Sequence, residues 1–302
     1  MNAPSASLHR ATGGLEFGTP SATSEPPHKS NPSATARRFL WPREHGAWGM
    51  VLLPFLSAWV LARGGGWPVI AALAAVLATF LIREPVLVLL RQRYRWSQPR
   101  AETSAARRTL TLLAPVLALS GVILTLSTPI HSLMVLGGLA AIVMTFYLWG
   151  AMTNRQRSSW LQAAGAVGLS ASAPLAYLAA GRDIDQVALL LWAAHSVHGI
   201  ASVLVIHARL DAISAHRRGN PNPSTFLACR TAQTGAALFA ATLAISGFPM
   251  LGAATAFPVL VHTLALRRLS DPDFLKIKLQ KVGFRELAIS VLFSAASVAG
   301  LW

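Results

Sequence analysis

Three Arg-Glu dipeptides, Arg43-Glu44, Arg83-Glu84 and Arg285-Glu286, stand at the edges of long apolar runs. The first continues into His45, and a looser mixed pair, Arg209 and Asp211, closes another run. A carboxylate near hydrocarbon must be neutralised, paired or used, because taking an isolated charge out of water costs several kcal/mol. Two chemistries suit these residue types. The pairs can tie neighbouring helices together, or the planar guanidinium fork can hold a phosphate or carboxylate while the acid orients it. Arg83-Glu84-Pro85 is the sharpest case: VLVLL follows before Arg91, which places the pair roughly two turns inside its run at ~1.5 Å per residue.

The histidines offer a second set of candidates. His195 and His198 lie one helical turn apart, Ser202 continues their face, and Arg209 follows seven residues on. Such a pair could ligate a metal, or a haem with His262 as partner. A metal site needs three or four ligands, however, and this HxxH has no adjacent acid, so interhelical hydrogen bonding is the favoured reading. His131 and His216 fall in loops, and His9 and His28 in the N-terminal tail. No GxxxxGK[ST], GxGxxG or GxSxG occurs, so nothing points to a phosphate-cradling loop or a nucleophile elbow.

The elements that must position these residues are transmembrane helices. Of the 302 residues, 53% are hydrophobic and 12% charged, and mean hydropathy is +0.49; soluble domains carry about 25% charged residues. The net charge of +15 would suggest nucleic acid only if it were clustered on a soluble domain, and none is visible. With Cys229 as the single cysteine, no intrachain disulfide or thiolate metal cluster can form. Residues 1–38, rich in Ser, Pro, Ala, Thr and Gly, read as a disordered cytoplasmic tail, and 39–302 as the membrane bundle.

Apolar runs bounded by charge or by Pro and Gly give nine segments: 45–62, 67–90, 109–127, 132–150, 160–180, 186–206, 233–247, 250–266 and 284–302. Runs such as AALAAVLATFLI lack the alternation a barrel strand requires. The two segments around Gly247-Phe248-Pro249 are short, and either span as a tight hairpin or enter as half-helices. Pro54, Pro115, Pro174 and Pro258 fall inside runs and are expected to kink them or free backbone groups. With the N-terminus inside, all of the 26 basic residues except Arg63 and Arg182 fall on the cytoplasmic side, which fixes orientation and attracts anionic headgroups. The nine tryptophans gather near span ends as interfacial anchors.

WPREHGAWGMVLLPFL, REPVLVLLRQRYRW, SVLVIHARLDA and the late KVGFREL together resemble the YwiC-like family of bacterial membrane proteins, over roughly residues 40–302. More distantly, the arrangement is similar to the UbiA superfamily of intramembrane prenyltransferases. That likeness implies a nine-helix bundle whose first helix opens with an Arg and reaches a Pro, as Arg43 and Pro54 do. It also implies a cytoplasmic site after the second and sixth helices, where aspartates would hold magnesium against a prenyl diphosphate. Here the acidic motif is incomplete: Glu84 is followed by Leu87 and Arg91, and His207 and Asp211 stand where two aspartates belong.

The expectation is therefore an all-α, nine-helix bundle in a bacterial inner membrane, with a cavity open to the cytoplasmic leaflet. Arg43, Glu44, His45, Arg83, Glu84, Arg209 and Asp211 should border it, with His198 deeper and no metal. Its expected partner is a lipid, isoprenoid or quinone-like amphiphile, with no nucleic acid involved. A degenerate prenyltransferase, a transporter, and a haem- or quinone-binding respiratory accessory protein are the competing readings.

Overall fold

A computed structural model describes residues 45–98, 100–153, 158–218 and 223–302, all in helices and the links between them. In chain order the helices are α1 (His45–Ala62), α2 (Trp67–Tyr94), α3 (Ala101–Ser127), α4 (Ile130–Met152), α5 (Ser159–Ser170), α6 (Ser172–Ala179), α7 (Gln186–Arg218), α8 (Pro223–Ile245), α9 (Pro249–Arg267), the short α10 (Pro272–Leu275) and α11 (Leu279–Leu301). Each of the nine apolar segments lies on a helix or, at 160–180, on the α5–α6 pair. Six of the described helices, α2, α3, α4, α7, α9 and α11, are long and apolar enough to cross a membrane by length and composition. The N-terminal tail lies outside the described residues.

Several boundaries differ from the sequence expectation for identifiable reasons. Pro54, Pro115 and Pro258 sit inside helices that continue through them. The fourth, Pro174, follows a break at Ala171 that divides α5 from α6: a proline has no N–H to return to the preceding turn. Across that break the Ser172 hydroxyl donates to the Val51 carbonyl of α1 at 2.8 Å. The 233–247 segment belongs to a 23-residue helix that starts at Pro223 and carries Arg230 within it, so α8 and α9 are full-length helices rather than half-helices.

Arginines gather where α2, α7 and α9 end, an arginine-rich end of each helix. Away from these, Arg63 lies over the Trp302 ring at 3.8 Å, joining the α1–α2 link to the end of α11. α1 is central, packing on α6, α11, α5 and α7. In contrast α4 stands off from α3, its neighbour in sequence, and rests mainly on α5 and α2. That gap makes the cavity described below.

Small residues let the other helices close up. A Cβ on Gly252 of α9 would lie 2.7 Å from the Ala240 carbonyl oxygen of α8, a backbone atom that cannot swing aside. Gly252→Val is therefore expected to lower stability by about 1–3 kcal/mol, the usual cost of overpacking. Gly235→Ala, whose Cβ would meet nothing within 4 Å, should leave the thermal midpoint in detergent unchanged or raised. Equal midpoints for the two variants would contradict this packing.

Candidate functional site

A cavity of about 340 Å³ lies among α1 to α6, within the range of about 300–1,000 Å³ typical of ligand pockets. Its walls are apolar: Val76 and Phe80 from α2, Leu117 and Leu124 from α3, Val143 and Met144 from α4, Leu169 and Leu175 from α5 and α6. Gly121, Gly137 and Gly165 line it from three helices, and a Cβ built on any of them meets nothing within 4 Å. The backbone itself is thus part of the wall, and the space is left open by residue choice.

The charged residue in that lining is Arg83, which is 8% exposed. Its Nη2 donates to Glu84 Oε1 at 3.3 Å, and its guanidinium lies over the Tyr147 ring at 4.5 Å and the Phe80 ring at 5.3 Å. The Tyr147 hydroxyl reaches the same Glu84 oxygen at 3.4 Å, tying α4 to α2. An arginine held between two ring faces and one carboxylate is restrained at the polar end of an apolar slot. It keeps its charge there, because a guanidinium is always protonated.

Residues 41–177 match the family model described as YwiC-like protein. The match runs from the threshold of α1 to Tyr177 in α6, so every residue lining the cavity falls inside it. It is narrower than the 40–302 span over which the sequence resembles that family, and the KVGFREL stretch lies beyond it. No curated protein and no solved structure matches the chain. The matched stretch and the helices that form the cavity, α1 to α6, therefore coincide.

The other expected site residues divide between places. Arg43 and Glu44 lie outside the described residues, and His45 opens α1. Neither His198 nor Arg209 lines this cavity. Arg209, 2% exposed on α7, instead donates through Nη2 to the carbonyls of Phe274 at 2.6 Å and Ile277 at 3.3 Å, and lies over the Phe274 ring. It clamps the α10 turn. Asp211, two residues further along, is half-buried on the same helix. The single shared recess expected from sequence is thus two places: the Arg83 cavity in α1–α6, and a polar seam among α7, α9 and α11.

That seam holds the histidines. His195 Nε2 faces Ser294 Oγ at 3.2 Å, His198 Nε2 faces Ser290 Oγ at 2.9 Å, and His262 Nε2 faces Glu286 Oε2 at 2.9 Å. All three contacts run to α11, which supports interhelical hydrogen bonding over haem ligation. Among the described residues no three His, Cys, Asp or Glu side chains are grouped so that they could hold a metal ion. Glu84, the carboxylate at the cavity's polar end, is already bonded to Arg83 and Tyr147. That donor set does not fit a magnesium–diphosphate centre, which calls for several oxygen ligands.

Two functional partners escaped the sequence reading. Tyr147 sits within an apolar run, MTFYLWG, with nothing to distinguish it from a core aromatic. Glu286 looked like half of a self-neutralising pair at a helix end, whereas it also binds His262 on α9.

Proposed function

We propose that the α1–α6 cavity binds a membrane amphiphile: its apolar walls take a lipid, isoprenoid or quinone-like tail and Arg83 takes the polar head. The carrying observation is the junction of an apolar, glycine-lined cavity with one restrained, permanently charged guanidinium. Glu84 and Tyr147 orient that guanidinium, whose planar fork suits the oxygens of a phosphate or carboxylate head group. In this reading the nine apolar segments all span a bacterial inner membrane with the N-terminus cytoplasmic. The arginine-rich end then faces the cytoplasm, and the head group sits toward that leaflet. Binding without turnover is favoured over prenyl transfer because Glu84 is the acid beside Arg83.

Gly165→Leu and Gly121→Leu test this by filling the cavity at positions where the added side chain enters open space. In native mass spectrometry of protein released from its own membrane, the wild type should carry an amphiphile that both variants lose. The same bound species in all three proteins would remove the proposal.

A further inference from the structure

The α7–α9–α11 seam is a continuous buried line of ionisable and hydroxyl groups. Glu286, Ser290, Ser294 and Ser297 follow one face of α11, rising roughly 16 Å at 1.5 Å per residue. His262 faces them from α9, and His198 and His195 from α7. The His198 and His262 rings are stacked with centroids 6.2 Å apart and 11° between their planes, and Phe293 closes over His198 at 4.4 Å and His195 at 5.0 Å. His262 is fully buried, and the Nδ1 atoms of His198 and His262 have no hydrogen-bond partner among the described residues. Glue between helices does not require unpartnered ring nitrogens, or a carboxylate, in a buried position.

The hydrogen bonds also carry an ambiguity that only a proton can resolve. His195 Nδ1 is 3.0 Å from the Leu191 carbonyl, which can only accept, so that nitrogen bears a hydrogen. Ser294 Oγ lies 2.8 Å from the Ser290 carbonyl and 3.2 Å from His195 Nε2, and its one hydrogen cannot serve both. With His195 neutral, the hydroxyl donates to Nε2. With His195 charged, Nε2 donates to the hydroxyl, which turns to the carbonyl. One rotation of an O–H bond thus accommodates either state with every heavy atom in place.

We propose that this seam is a proton-binding site inside the membrane, with Glu286 and His262 as its core and His198 and His195 as its extension. A proton arriving at His262 Nδ1 makes the ring an imidazolium whose Nε2–H still donates to Glu286 Oε2, while Arg285 also holds that carboxylate, so one proton is gained and the pair becomes ionic. Arg285 Nη2, 2.9 Å from Glu286 Oε1, is the cation facing the pair. Arg209 on α7 is the next charge along the arginine-rich end. α1, which also packs on α11, presents no titratable side chain between Gly46 and Ala62. The site is separate from the amphiphile cavity and lies outside the YwiC-like match.

Infrared difference spectra between alkaline and mildly acidic pH test it, using wild-type protein in lipid with isotope-labelled histidine. Because His262 is fully buried, part of the change of histidine ring modes from neutral to imidazolium should resist rapid exchange into D2O. His262→Gln should abolish that slowly exchanging part, and Ser294→Ala, a small change that leaves the Glu286 pair in place, should alter it. Wild-type spectra with no slowly exchanging histidine change between the two pH values overturn the proposal without reference to any variant. A slowly exchanging change that survives undiminished in His262→Gln overturns it as well.

Discussion

Glu286→Ala is expected to destabilise the protein by about 3 kcal/mol, the upper part of the cost of leaving a buried donor without its acceptor. Glu286 accepts from His262 Nε2 and Arg285 Nη2, each at 2.9 Å, and so joins α9 to α11. Without it, His262 is left with no described hydrogen bond in a fully buried position, and Arg285 must find another acceptor. Glu286→Gln keeps an oxygen and the side-chain volume, so it should fall well short of the alanine loss. The ranking can be read from thermal midpoints of detergent-purified protein at one heating rate, since membrane proteins commonly unfold irreversibly. Alanine and glutamine variants with equal midpoints would show that the pair contributes little.

The second large effect is on binding. Arg83→Ala should reduce retention of the native amphiphile by roughly thirtyfold or more, corresponding to the ~2 kcal/mol or greater loss typical when one partner of a buried charged hydrogen bond is truncated. Arg83→Lys restores the charge but not the planar fork and should fall between the two. Stability should change much less than binding: the side chain of Glu84 is 30% exposed and can regain water when its partner is removed. Comparing bound-to-free ratios for the three proteins after identical detergent washes gives the measurement.

The helices were legible because hydrocarbon leaves the backbone few alternatives, and the apolar runs name them almost unaided. Arg83 was legible for the same reason: a charge two turns inside such a run must have a use. Helix ends were less so. α8 begins at Pro223 and carries Arg230, whereas an apolar-run reading starts it at 233, because a long arginine stem can leave the helix and reach the interface. A break in the helix stands beside Pro174, whereas Pro54, Pro115 and Pro258 lie within helices that continue past them.

The candidate site was only half legible. Charges at helix ends report a membrane level but not which ends are neighbours, so Arg83 and Arg209 looked equivalent although they serve different helix groups. The stacking of His198 on His262 depends on how α7 crosses α9, which periodicity within either helix does not encode. Gly252 closes a contact between helices, whereas Gly121, Gly137 and Gly165 line the cavity. In α3, α4 and α5 the missing side chains leave space rather than closing it, and only the stand-off of α4 reveals the difference.

The most direct test of the Arg83 cavity is an experimental density map of the protein extracted with its native lipid. The account predicts non-protein density that begins at the Arg83 guanidinium, between Phe80 and Tyr147, and continues along Gly121, Gly137 and Gly165. A map in which α4 has moved in against α2 and α3, filling that space with side chains and turning Arg83 out to the membrane surface, would contradict it.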